Sequence, residues 1–143
     1  MLSSAELRIV VGTWDVLATD AKMIREAVFI QEQNIAPEDE WDAKDEVSTH
    51  FVAYLNDQAV ATARLLTSNS IGRVAVLKSA RGHKVGQCLM QFVIDYARAE
   101  SRQFVKLSSQ VHAIGFYQAL GFQLQGEEYL DCGIPHIDMY LPL

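Results

Sequence analysis

The chain has 143 residues, 50% hydrophobic and 21% charged, with only 8 Gly and 3 Pro, so one domain with a substantial core is expected, and disorder and collagen-like repeats are excluded. A formal net charge of −6 argues against a nucleic-acid partner, which needs a clustered positive surface, and favours a small basic or neutral one. Cys88 and Cys132 form no Cys-x-x-Cys pair, no apolar run approaches the ~18 residues of a membrane span, and Met1 to Val11 lack a basic stretch followed by a long apolar one; the expectation is a cytoplasmic protein with no metal and no membrane segment.

Leu7, Ile9 and Val11 alternate as in a strand that Gly12 interrupts. From Ala21 to about Gln33, Met23, Ile24, Ala27, Val28 and Ile30 recur at helical spacing, with Thr19 or Asp20 as the cap. Pro37 opens a loop, and Glu32, Glu38, Asp39, Glu40, Asp42, Asp45 and Glu46 crowd the same stretch. That charge reads either as a solvated loop or as an acidic wall for a cationic partner.

Three strands are expected next, His50 to Leu55, Ala59 to Leu66 and Arg73 to Leu77, with turns at Asn56-Asp57 and at Ser68 to Gly72, making an antiparallel meander. The third runs through a basic glycine loop into a helix whose inner face carries Leu89, Phe92, Val93 and Tyr96. Phe104, Val105 and Leu107 read as a strand; Ala113, Phe116, Tyr117 and Leu120 mark a short helix ending at Gly121. Strands from Phe122 to Gln125 and from His136 to Leu141 close the chain, and no repeat or linker divides 1–143.

The glycine loop sits where a helix begins, so free backbone N–H groups and the positive end of the helix dipole can hold a phosphate there. It is neither a Walker loop nor a Gly-x-Gly-x-x-Gly fingerprint. Instead Arg81-Gly82-His83-Lys84-Val85-Gly86 resembles the Gln/Arg-x-x-Gly-x-Gly/Ala loop with which GNAT acetyltransferases bind the coenzyme A pyrophosphate, and Arg73-Val74-Ala75-Val76-Leu77 resembles their fourth strand. The second signature of that family, Asn-x-x-Ala-x-x-Phe-Tyr-x-x-x-Gly-Phe, is approximated by Gln110 to Phe122. Val28 to Gln33 and Gly133-Ile134-Pro135-His136 resemble its ElaA-like branch. Lys84 stands at the middle glycine of the loop pattern and Gln110 at the asparagine of the second.

The resemblance implies an α/β (α+β) fold: a central mixed, mostly antiparallel sheet flanked by helices, with splayed parallel fourth and fifth strands. It implies acetyl-CoA as cosubstrate, its arm along Val74, Ala75 and Val76, with Gln110 and Phe116 also at the donor site. Attack by the amine is direct, and Tyr117 protonates the departing thiolate. The amine must also lose a proton, for which Glu32, His112 and His136 are candidates; each reads equally as a hydrogen-bonded structural residue. Glu127, Glu128 and Asp131 belong either to the acceptor side or to a solvated loop. A small-molecule amine is the expected acceptor; a protein N-terminus or lysine, or a coenzyme A sensor without turnover, suggested by Lys84, is the alternative. Oligomeric state stays open, a homodimer included.

Overall fold

The computed structural model describes residues 6–143. The expectation drawn from Met1 to Val11 falls partly on residues 1–5, outside the described residues. In chain order the elements are β1 (Leu7–Gly12), α1 (Trp14–Arg25), a π-helical segment (Glu26–Glu32), α2 (Pro37–Glu40), a 3₁₀ turn (Ala43–Val47), β2 (Thr49–Leu55), β3 (Gln58–Leu65) and β4 (Ser70–Val76). A 3₁₀ turn (Lys78–Ala80), α3 (Val85–Ala99), β5 (Phe104–Gln110), a 3₁₀ turn (Val111–Ala113), α4 (Ile114–Ala119), β6 (Gln123–Asp131) and β7 (Ile134–Pro142) complete it.

The strands form one seven-stranded sheet in the order β1-β2-β3-β4-β5-β7-β6. All neighbours run antiparallel except β4 and β5. The mixed, mostly antiparallel sheet with parallel fourth and fifth strands is therefore present. α3 and α4 cover one face through Leu89, Met90, Val93, Ile94 and Tyr117, packed on Phe51, Ala63, Leu107 and Met139. α1 covers the other through Leu17, Ala21 and Ile24, packed on Val52, Ala59 and Ala75.

Several element boundaries differ from those expected. The first helix starts at Trp14, with Thr13 as N-cap, because Leu17, Ala21 and Ile24 already set a buried stripe at helical spacing. Thr19 and Asp20 therefore lie inside the helix, where the Asp20 carboxylate accepts a hydrogen bond from Tyr54 at 2.5 Å. Met23, expected inside, is 46% exposed. Beyond Arg25 the backbone switches to wider turns, Gln33 N–H reaching back to the Val28 carbonyl, which puts Val28 and Phe29 inside. Such π segments are frequent at functional sites.

Strand β4 starts earlier than expected, at Ser70, since Leu65 pairs with Ile71 and Arg64 with Gly72. Its ladder then slips by one residue around Arg73 before Thr62 pairs with Ala75. Arg73 is the extra residue of this bulge, at φ +50°. A bulge bends its strand and ends regular pairing, and the parallel pairing of β4 with β5 extends only over Ser70 with Lys106 and Ile71 with Leu107. The two strands part beyond that point.

The acidic stretch is neither a solvated loop nor an acidic wall throughout. Glu40 and Asp45 are buried, held by α2 and the 3₁₀ turn that follows it. Arg25 donates to Glu40 Oε2 at 2.6 Å and to Asp45 Oδ1 at 2.7 Å. Arg64 donates to Asp42 at 2.7 Å and to Asp45 at 2.9 Å, and Arg73 lies 3.2 Å from Glu40 Oε1. Trp14 and Trp41 flank the Arg25 guanidinium at 5.4 and 5.0 Å from the ring centroids. Three arginines thus offset three carboxylates whose charge, read along the chain, looks uncompensated. Among the described residues Arg64 Nε is buried without a partner, which costs about 1–3 kcal/mol.

Candidate active site

Where β4 and β5 part, a cleft of about 800 Å³ opens through the sheet. Its walls are the bulged half of β4, the end of β5, the π-helical segment, α4 and the hairpin between β6 and β7. Beyond Ile71, β4 has no partner strand on the β5 side; Leu77 N–H bonds to the Val60 carbonyl of β3, so by alternation Val74 and Val76 present main-chain groups to the cleft, as a sheet edge does to an added strand. The Val76 carbonyl accepts from Arg81 Nε at 3.0 Å.

The glycine loop turns through left-handed backbone. Gly82 has φ +84° and Lys84 φ +62°, in the left-handed region. Lys84 holds this left-handed conformation at a cost of about 1–2 kcal/mol from its Cβ. At Gly86 a Cβ would lie in ordinary van der Waals contact, 3.4 Å from Val76 Cγ2 and 3.5 Å from Phe116 Cζ, so the start of α3 packs closely on β4 and α4 without demanding glycine there. His83 and Lys84 are exposed, whereas the Val85 side chain is buried in the core and leaves only its main chain to a ligand.

Arg81 departs from the simplest expectation of a cation waiting for phosphate. Its guanidinium turns into the cleft and binds Glu32 through both nitrogens, at 2.6 and 2.7 Å. The ion pair holds the Glu32 carboxyl below the usual carboxylate range, chiefly through the hydrogen bond from Arg81. Glu32 is thus an ionised partner of Arg81 and a poor proton acceptor. Next to it Gln110 donates to Gln33 Oε1 at 2.9 Å, and its own Oε1 accepts from His112 Nε2 at 2.7 Å. These bonds tie the end of β5 to the end of the π-helical segment.

Tyr117 projects from α4 into the cleft and is 9% exposed. Phe116 and Phe122 meet its ring edge-on, with centroids 5.0 and 5.9 Å away, which fixes its direction. Burial pushes its phenol up to about 12, so it is protonated throughout the neutral range. His136 enters from β7. Asp131 and Cys132 line the mouth at the hairpin turn, where Cys132 and Gly133 both have positive φ. Glu127 and Glu128 are exposed on β6 and do not line the cleft. The acidic network forms the far wall, through Asp39, Glu40 and Arg73.

A sheet parted between parallel fourth and fifth strands, with a phosphate-type loop on one side, defines a class of acyl-transfer protein. Comparison with known proteins agrees. The profile of the acetyltransferase (GNAT) domain matches residues 19–143. The chain is 39% identical to Protein ElaA of Escherichia coli over 125 residues, covering 81% of each. It is 36% identical to the uncharacterized N-acetyltransferase YjcF of Bacillus subtilis over 124 residues, covering 84% of this chain and 89% of that one. The crystal structure of Escherichia coli ElaA superposes with a TM-score of 0.85 over 94% of this chain and 98% of that one, at 33% identity. An acyl-CoA N-acyltransferase from Pseudomonas aeruginosa does so with 0.84 over the same shares, at 31% identity. The chain belongs to the GNAT acetyltransferase family, whose fold implies binding of acyl-coenzyme A.

Most of the residues expected at the site come together. Val74, Ala75, Val76, Arg81, Gln110, His112, Phe116, Tyr117 and Glu32 all line the cleft, while Gly82 to Gly86 form the loop beside it. The wall formed by Gln33, Ile35, Arg73 and Ser108 was not anticipated, because it depends on the bulge and on the π turn.

Proposed function

We propose that the protein transfers an acetyl group from acetyl-CoA to the primary amine of a small molecule by direct attack, with Tyr117 as general acid. The observation that carries this reading is the state of the Tyr117 hydroxyl. It faces the cleft, has no hydrogen-bond partner among the described residues, and stays protonated because burial disfavours its anion. A thiolate released beside it meets the same desolvation, so a hydrogen bond and then a proton from the phenol discharge the leaving group where its charge is least tolerated.

The donor fits by the same physics. Loop N–H groups at the start of α3 and the Lys84 ammonium suit the pyrophosphate. The β4 edge at Val74 and Val76, which has no partner strand, suits the amides of the pantetheine arm, and the bulge at Arg73 turns main chain toward a thioester carbonyl. About 800 Å³ suits that arm and a small acceptor. The left-handed backbone of Lys84 supports a working loop.

The test is calorimetric titration with acetyl-CoA in an amine-free buffer, followed by thiol release with primary amines. Tyr117→Phe should bind the donor as the wild type does and lose about 10²-fold or more in kcat. Unchanged turnover in that variant would remove Tyr117 from the mechanism. No binding at millimolar donor would overturn the reading.

A further inference from the structure

We propose that His136 is the general base, its Nε2 taking the proton that the acceptor amine gives up; the proposal rests on the acetyltransferase reading above. The first argument is the tautomer. His136 Nδ1 lies 2.6 Å from the Ile134 carbonyl oxygen. A carbonyl only accepts, so Nδ1 carries the proton and Nε2 keeps its lone pair. The ring stacks on Tyr129 at 6.1 Å and 24°, and the Tyr129 hydroxyl donates to Asp138 at 2.6 Å and touches Ser108. Orientation and protonation site are fixed before any ligand arrives.

The second argument is position. Tyr117 belongs to the cluster that α3 and α4 build on one face of the sheet, together with Met139 of β7. Side chains alternate along β7, so His136 and Asp138 point to the opposite face from Ile137 and Met139, which are buried. His136 is paired with Gln110 of β5, where the sheet has parted. Both His136 and Tyr117 line the cleft, but they reach it from opposite faces. Direct attack needs that separation: the acid beside the sulfur, and the base on the side from which nitrogen approaches.

The third argument compares the competing groups. Both carboxylate oxygens of Glu32 bind Arg81. His112 donates Nε2–H to Gln110 and keeps its lone pair on Nδ1, but it stands exposed on the 3₁₀ turn after β5, whereas His136 is half-buried. Nearest His136 stand Gln110 on β5, Tyr129 and Asp131 on β6, and Asp138 on its own strand; Tyr129 and Asp138 bind each other.

The step balances as follows. The neutral amine attacks the thioester carbon, a C–N bond forms, and the carbonyl becomes an oxyanion. His136 Nε2 takes the surplus proton from the adduct's nitrogen. The C–S bond then breaks with its electron pair on sulfur, which takes the Tyr117 proton. The imidazolium proton returns through solvent to the tyrosinate, leaving amide and free thiol.

Two variants separate base from scaffold. His136→Asn can keep the donor to the Ile134 carbonyl while losing the Nε2 lone pair, whereas His136→Gln places an amide near the old Nε2. They are compared with the wild type for acetyl-CoA affinity by calorimetry, and for thiol release with primary amines from ethylamine to lysine amide, across pH. We expect unchanged donor affinity, kcat down about 10²–10⁴-fold in both, loss of the acidic limb of the pH profile, and partial rescue by added imidazole. A wild-type rate or an intact acidic limb in His136→Asn, with the wild type active, overturns His136 as base and leaves the enzyme standing. A wild type that binds the donor but acetylates none of the amines overturns the catalytic reading itself, and the base with it. Nitrogen-15 spectra of the free protein give an independent check; a proton on Nε2 of His136 would also overturn the proposal.

Discussion

Two sets of arginine–carboxylate contacts border the cleft, and burial makes them different devices. In the network of Arg25, Arg64 and Arg73 with Glu40, Asp42 and Asp45, the Arg25, Glu40 and Asp45 side chains are 1%, 3% and 4% exposed. In the Arg81–Glu32 pair the side chains are 39% and 37% exposed. Contact distances are alike, 2.6 Å for the tightest of each. Removing one partner of a buried pair strands a charge in a poor solvent and costs about 3–5 kcal/mol. An exposed pair returns its charges to water and is worth about 0–1 kcal/mol. The network therefore fixes the wall behind the cleft, while the Arg81 pair is a clasp that opens at little cost.

The largest effect expected from breaking this contrast is at Asp45, whose Oδ1 accepts from both Arg25 and Arg64. Asp45→Asn leaves two buried guanidinium groups short of a counter-charge and should lower unfolding free energy by about 3–5 kcal/mol, read from urea titration at neutral pH. A loss below about 1 kcal/mol would place the network in the same class as the clasp.

Acid titration sharpens the same contrast with a smaller effect. The hydrogen bond from Arg64 holds Asp42 at about 2, from an ordinary 3.8. Its contribution is present above the unfolded value and is lost as pH falls from near 4 toward 2. Glu40 has the opposite sign: burial raises it above 4.5 despite its arginine partners, so its contribution is present below that value and is lost as pH rises through the folded one. On acidification, stability should rise slightly as Glu40 takes its proton and then drop as Asp42 does. Thermal melts at steps from pH 6 to 2 should show the final drop flattened in Asp42→Asn; an unchanged profile would mean that Arg64 does not hold Asp42.

The fold and the elements that line the cleft were legible because their information is local. The loop from Arg81 to Gly86 and the helix carrying Phe116 and Tyr117 are contiguous segments whose backbone demands show in glycine positions and apolar spacing. What was not legible depends on partners distant in sequence. The Arg25, Arg64 and Arg73 partners of the acidic stretch lie 15 to 34 residues from the groups they bind, so charge read along the chain could not show its neutralisation. The bulge puts an arginine at positive φ, which no residue preference announces, and the early helix start rests on Thr13, whose side chain makes no capping bond. His136 could be named from its residue type, but its choice over Glu32 needed three hydrogen bonds, two at Glu32 and its own to Ile134, that exist only in the folded chain.

The smallest effect belongs to the clasp. Glu32→Gln removes the carboxylate that Arg81 holds through two nitrogens and should change unfolding free energy by less than about 1 kcal/mol. Because the pair is exposed, that difference should shrink further as salt is raised from about 0.05 to 0.5 M, where screening becomes effective within about one contact shell; the Asp45→Asn loss should barely move. The same variant frees the Arg81 guanidinium, which otherwise must leave Glu32 before it can meet a phosphate, so coenzyme A should bind Glu32→Gln at least as tightly as the wild type. A cost of 3 kcal/mol or more, independent of salt, would show that the pair is a structural strut like the buried network, and the distinction between the two regions would fail at its weaker end.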